Sequence, residues 1–122
     1  FALSAQQPVD SAAKPERLQV AVFAPLYLDS AFDALGNYRY NKSLPPFIAT
    51  GLDYYIGLQQ AIDSLTLKKA AVDIHVFDSR APKQKPESMI AGDPLKKMHL
   101  IAGFVNVNEA ALLGRFAKSN QI

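Results

Sequence analysis

The residue types best suited to binding a small polar molecule occur together in one short stretch, Phe104-Val105-Asn106-Val107-Asn108. A helical pattern follows, so the stretch is expected to open a helix. The first N–H groups of a helix lack intrahelical partners and carry the positive end of its dipole, which favours a carboxylate or phosphate. The side chains of Asn106 and Asn108 would add hydrogen bonds, beside Phe104 and Val107. Alternatively, Asn106 only caps the helix, with Glu109 folded back in a capping box.

A second candidate is a long stretch, 25–50, which we interpret as the loop after the first strand. It holds five of the twelve aromatic residues, namely Tyr27, Phe32, Tyr38, Tyr40 and Phe47. Loops of this length are uncommon and often contact ligands. Tyr27 is the strongest candidate because it directly follows the strand. The alternative is that these rings only hold the loop against the body of the protein.

Patterns typical of several enzyme and cofactor sites are missing from the sequence. No glycine-rich dinucleotide or phosphate-binding motif follows the first strand, and no Gly-x-Ser-x-Gly nucleophile motif occurs. His75 and His99 stand 24 positions apart without a second ligand at metal spacing, which favours structural roles. Cysteine is absent, which excludes a disulfide or a thiol nucleophile. We therefore expect no enzymatic activity, no catalytic residues, no metal and no cofactor.

Composition indicates a single globular domain preceded by a flexible leader. The 122 residues are 49% hydrophobic and 20% charged, with a net charge of +2. That balance is too even for nucleic-acid binding, and no apolar run is long enough to span a bilayer. Residues 1–17 are expected to form the leader, and the apolar-then-small start at 1–6 is typical of the end of a signal peptide. A frayed chain end is the alternative there. At the other end, a helix is expected to finish near Ser119 and Ile122 to open a further strand, so we expect the chain to be a fragment of something longer.

Three apolar segments predict β-strands, and two periodic segments predict long helices. The strands are expected at 18–24, 72–78 and 100–105, the first and third buried on both faces and the second half polar. The helices are expected at 51–67 and 107–119. Thr50 with Asp53 predicts a capping box for the first helix, and Asn106 with Glu109 predicts one for the second.

The alternation of strands and helices predicts an α/β fold, a three-layer Rossmann-like parallel sheet with strand order 2-1-3. In such sheets ligands bind beyond the carboxyl ends of the strands, where the strand order reverses. That point lies between the first and third strands, where the loop after the first strand meets the 104–108 turn. We therefore predict a ligand-binding site formed by Tyr27, Phe104, Asn106, Val107 and Asn108.

The sequence from residue 18 to 122 also resembles a protein family. The resemblance rests on VAVFAPL at 20–26, GLDYYIGLQQAIDSL at 51–65, VDIHVFD at 72–78, and LIAGFV at 100–105 running into a helix that ends FAKSNQI at 116–122. Together these segments resemble the start of a type I periplasmic binding protein, the two-lobed "Venus flytrap" class. The nearest group is the branched-chain amino-acid-type solute-binding proteins of ABC transporters.

The resemblance implies that residues 18–122 form part of the N-terminal lobe of such a receptor, in the periplasm or cell envelope. It implies a non-enzymatic module that binds an amino acid or a related polar or anionic solute, with an ABC transporter permease or peptidoglycan as further partner. Family members hold the ligand carboxylate with hydroxyl side chains and N–H groups at the start of the third helix. Here that position reads Asn106-Val107-Asn108, without Ser or Thr. The alternative is a ligand-free structural or regulatory envelope domain of the same fold, linked to a peptidoglycan-binding module.

Overall fold

A three-stranded parallel sheet forms the centre of the protein. The computed structural model describes residues 16–122, and its strands are β1 (Leu18–Ala24), β2 (Val72–Asp78) and β3 (Leu100–Gly103). Their order is β2-β1-β3, with Val22 opposite Val76 on one side and Ala102 on the other. The predicted α/β class and strand order are therefore confirmed. The predicted leader and signal-peptide remnant lie almost wholly outside the described residues.

The sheet is flanked by two long helices and several short ones. In chain order the helices are α1 (Leu28–Ala31), α2 (Pro46–Leu67), α3 (Pro86–Met89) and α4 (Val107–Ser119), with a 3₁₀ turn at Pro94–Lys97. Because strand side chains alternate between faces, β1 contributes to two layers. On one face, Ala21 and Phe23 pack with residues of α3, the 3₁₀ turn and α4, including Leu95 and Leu113. On the other face, α2 packs beside Val72 and Ile74 of β2.

The first long helix begins earlier than predicted. α2 starts at Pro46, with Pro45 as the flanking residue and no side-chain cap. The predicted capping box of Thr50 and Asp53 is therefore wrong, since Thr50 lies within the helix and its hydroxyl donates to the Pro46 carbonyl at 3.5 Å. Proline suits the first position of a helix because it has no N–H to leave unpaired. The loop predicted at 25–50 is accordingly shorter, and it also contains α1.

The third strand is shorter and more exposed than predicted. β3 ends at Gly103 rather than at 105, and Leu100, Ala102 and Gly103 are exposed. The expectation that β3 is buried on both faces is wrong, because three of its four residues are exposed. Among the described residues, β3 also pairs with β1 alone, along one edge. α4, in contrast, spans the predicted residues. No helix within 16–122 has the length and apolar content needed to cross a membrane.

Candidate functional site

A cleft of about 280 Å³ opens at the carboxyl end of the sheet, where the strand order reverses between β1 and β3. Its lining comes from the end of β1, the first turns of α2, the turn after β2 and the segment before α4: Pro25, Tyr27, Phe47, Thr50, Arg80, Phe104, Val105 and Asn106. The structure thus brings together Tyr27, Phe104 and Asn106, three of the five predicted site residues. Val107 and Asn108 adjoin Asn106 on the first turn of α4 but do not line the cleft.

The buried carboxylate of Asp78 fixes the backbone around this cleft. Asp78 is the last residue of β2 and is only 2% exposed. Its Oδ1 accepts hydrogen bonds from the N–H groups of Leu26 (3.0 Å), Tyr27 (3.2 Å) and Arg80 (3.0 Å), and its Oδ2 accepts one from Leu28 (2.8 Å). A single side chain therefore holds the exit from β1, the start of α1 and the turn after β2 in fixed relative positions.

Tyr27 is held in an unusual conformation between β1 and α1. Its φ is 55°, in the left-handed region that non-glycine residues seldom adopt. The Tyr27 N–H bond to Asp78 and the α1 N–H bonds to the Tyr27 carbonyl support this backbone. The ring lies edge-on to Phe47, with centroids 5.0 Å apart. Hydrogen bonds at both the N–H and the carbonyl group of Tyr27 therefore fix its position in the cleft lining.

The aromatic residues of the 25–50 segment pack in a continuous chain. Successive centroids are 5.0 to 6.2 Å apart, in the order Tyr27, Phe47, Tyr40, Tyr38, Phe32. These contacts agree with the alternative that the rings hold the segment together. Tyr27 and Phe47 nevertheless also line the cleft. Phe104 also lines the cleft, is 47% exposed and packs beside Tyr54 of α2, with centroids 5.8 Å apart.

The start of α4 carries the predicted capping box. The Asn106 side chain accepts from the Glu109 N–H at 2.9 Å, and Glu109 Oε2 accepts from the Asn106 N–H at 2.9 Å. Glu109 therefore folds back onto the helix, as expected, and is buried. The N–H groups of Val107 and Asn108 are the first-turn donors that this box does not use. Val107 is 85% exposed, so the corner is open to solvent.

Arg80 is a cleft residue that the sequence analysis missed. Its Nη2 donates to Glu109 Oε2 at 3.1 Å, so the capping carboxylate also forms an ion pair. The Arg80 side chain is 29% exposed, while its Nε is buried without a hydrogen-bond partner among the described residues. The sequence signal was its place two residues beyond the end of β2, at the ligand-binding edge of a parallel sheet.

The cleft combines apolar aromatic walls with one cation and the start of a helix. This arrangement suits non-covalent binding of a small molecule that has an apolar part and a negative charge. Within residues 16–122, no group of three His, Cys, Asp or Glu side chains could hold a metal ion. The two histidines lie elsewhere: His75 Nε2 is 2.7 Å from Gln19 Oε1, and His99 Nδ1 accepts from the Gln19 N–H at 2.9 Å.

Searches against protein-family models, curated proteins and solved structures gave no match to this chain. The resemblance to periplasmic binding proteins therefore stays a hypothesis.

Proposed function

We propose that this chain is a non-enzymatic module that binds a small polar or anionic solute in the cleft between β1 and β3. In this proposal residues 18–122 form part of the N-terminal lobe of a receptor similar to type I periplasmic binding proteins. The receptor acts in the periplasm or cell envelope, and its ligand is an amino acid or a related solute. An ABC transporter permease or peptidoglycan is the further partner.

The observation that carries the proposal is the position of the cleft. Tyr27 after β1 and Phe104 after β3 are about 75 residues apart in the sequence. They meet at the reversal of strand order, where α/β proteins commonly bind ligands. The 104–108 corner is exposed rather than covered by the protein's own side chains. Arg80 and the start of α4 make the site favourable for negative charge.

The shape of the cleft predicts weak binding by this lobe alone. Binding sites usually enclose most of the ligand surface, whereas this cleft is shallow and its walls include two partly exposed rings, Phe47 and Phe104. A second lobe closing over the ligand would supply the missing contacts. We expect dissociation constants on the order of 1 mM for the 122-residue chain.

Titration calorimetry with amino acids and soluble peptidoglycan fragments tests this proposal. We expect at least one compound to bind the wild-type chain, and Phe104→Ala to weaken that binding severalfold by removing one cleft wall. Leu67→Ala is the matched control, because Leu67 is exposed at the far end of α2 and its loss should leave binding unchanged. Absence of binding by every compound, or equal effects of the two substitutions, would contradict the proposal.

A second candidate is a structural or regulatory envelope domain that binds no solute. The mutual packing of the aromatic rings and the use of Asn106 in the capping box favour this reading, because both give the site residues structural roles. In that case the chain would bind none of the solutes but would co-sediment with purified peptidoglycan. Co-sedimentation that is unaffected by Phe104→Ala, together with no binding of any solute, would support the second candidate over the first.

A further inference from the structure

We infer that the ligand of the cleft is a small carboxylate that carries a flat apolar ring, and that Arg80 is the residue that selects the carboxylate. This inference rests on the proposed function and specifies its ligand class. The structural observation behind it is the combination, in one cleft of about 280 Å³, of one guanidinium and three aromatic side chains.

The negative charge of the ligand is inferred from Arg80, the one ionised side chain among the described residues that line the cleft. A guanidinium has five N–H donors in a planar fork that matches a carboxylate. Among the described residues, the Arg80 side chain makes a single hydrogen bond, from Nη2 to Glu109. The guanidinium thus has donors left over, and its partial exposure makes part of the side chain reachable.

The surrounding charges favour one negative charge on the ligand over two. Glu109 already neutralises Arg80 in part, and the start of α4 adds a fractional positive charge. Asp78 is also close by in the fold, since it binds the backbone N–H groups of Tyr27 and Arg80. A phosphate dianion would be repelled more strongly than a monoanion by these two carboxylates. A carboxylate monoanion meets the same donors with less repulsion.

The apolar part of the ligand is inferred from the aromatic side chains that line the cleft. Tyr27 and Phe47 form an edge-to-face pair, and Phe104 lines the same cleft. Aromatic rings prefer offset or edge-on contacts with other rings. A volume of about 280 Å³ has room for one six-membered ring plus a carboxylate.

A panel of matched small molecules tests the inference by NMR titration of the 122-residue chain. The panel contains phenylacetate, its uncharged analogue phenylacetamide, acetate, and phenyl phosphate. We expect phenylacetate to bind about tenfold more tightly than phenylacetamide or acetate. Equal binding of the acid and the amide would overturn the role of Arg80, and equal binding of acetate would overturn the role of the rings. Tighter binding of phenyl phosphate would overturn the preference for a monoanion.

Substitutions of Arg80 separate recognition from folding. Arg80→Gln should reduce phenylacetate binding about tenfold and leave phenylacetamide binding unchanged, while Arg80→Lys should give an intermediate loss because it keeps the charge without the fork. Arg80→Lys also keeps a cation beside the buried Glu109, so its melting temperature shows whether the fold is retained. Arg115→Gln, an exposed arginine of α4, is the control and should change nothing. Equal loss of acid and amide binding in a folded Arg80 variant would contradict selection of the carboxylate.

The outcomes also separate this inference from the proposed function. If no compound of the panel binds, but an amino acid or peptidoglycan fragment binds and is weakened by Phe104→Ala, the ligand class is wrong and the cleft function stands. If none of the compounds in either experiment binds, both are wrong.

Discussion

At the scale of single residues, Asp78 determines the geometry of the candidate site. Its two carboxylate oxygens accept four backbone N–H bonds from two different loops, although Asp78 itself does not line the cleft. These four hydrogen bonds compensate for the free-energy cost of removing the charge of the carboxylate from water. Its position explains why Tyr27 and Arg80 lie near each other despite their separation in sequence.

We predict that Asp78→Asn destabilises the protein by about 2–3 kcal/mol. An amide has one acceptor oxygen, so keeping the three bonds to Oδ1 would turn an NH₂ group toward the Leu28 N–H. Urea denaturation measures the change. Asp53→Asn, an exposed position on α2, is the control and should change stability by less than about 0.5 kcal/mol. Equal stability of the two variants would show that Asp78 does not hold the loops.

A second residue-scale prediction concerns Asp73 on β2. A hydrogen bond from the Gln19 side chain, and then one from Arg17, hold the pKa of Asp73 below the usual aspartate range. Because the folded pKa is lower than the unfolded one, the associated stability is fully present above the unfolded pKa. It is lost as the pH falls through the folded pKa, which places the loss below about pH 4.

NMR titration of the Asp73 carboxyl carbon checks this pKa. Gln19→Ala removes the larger cause and should raise the Asp73 pKa toward its ordinary value. Gln60→Ala, an exposed change on α2, should leave it where it is in the wild-type protein. An Asp73 pKa that does not respond to Gln19→Ala would contradict the assigned cause.

At the scale of elements, α2 approaches the end of β1 so closely that one helical position must be glycine. A Cβ added to Gly51 would lie 1.9 Å from the Pro25 carbonyl oxygen, whereas one added to Gly57 would have no neighbour within 4 Å. The two glycines lie in the same helix and differ mainly in the space around them. The absence of a side chain at Gly51 therefore determines how closely α2 approaches Pro25, which lines the cleft.

We predict opposite effects for alanine at these two glycines. Gly51→Ala should destabilise the protein by about 3 kcal/mol or prevent folding, because the neighbouring atom is backbone and cannot rotate away. Gly57→Ala should stabilise it by about 0.5–1 kcal/mol through higher helix propensity. Chemical denaturation of both variants measures the difference. A tolerated Gly51→Ala would mean that α2 does not contact Pro25 in this way.

The capping box of α4 gives a further element-scale prediction. Asn106→Ala should cost about 1 kcal/mol, because the Glu109 N–H loses its acceptor. Asn106→Asp keeps an acceptor and adds negative charge at the helix start, so its stability should be close to that of the wild type. Thermal denaturation compares the two, and an equal loss in both would show that the cap bond contributes little.

Local sequence signals predicted some elements well and others poorly. β1, β2 and α4 have their predicted bounds, because an apolar or alternating run marks the extent of each strand and the capping box marks the start of the helix. The start of α2 was missed because the Pro45-Pro46 pair opens a helix without a side-chain cap. β3 was predicted too long and too buried because apolar composition does not show how much of a strand other elements cover.

At the scale of the whole molecule, the sequence predicted the strand order, and the strand order predicted where the site lies. It follows from the βα alternation and the more polar second strand, and it places the 25–50 segment beside the 104–108 turn. The contribution of Arg80 could not be predicted in this way. Arg80 reaches the cleft because Asp78 shapes the turn after β2 and Glu109 binds the guanidinium. The contact with Glu109 joins residues that are 29 positions apart, and no local pattern around Arg80 indicates it.

Whether the cleft at the strand reversal binds a small solute is tested most directly by mapping ligand-induced amide chemical shifts. Two-dimensional NMR spectra of the labelled chain would be recorded during titration with the compounds that bind by calorimetry. We predict that the largest shifts occur at Tyr27, Arg80, Phe104 and Asn106 and extend to Val107 and Asn108. Shifts concentrated instead in the groove between β3 and α4, around Leu100 and Ile122, or spread evenly over the chain would contradict it.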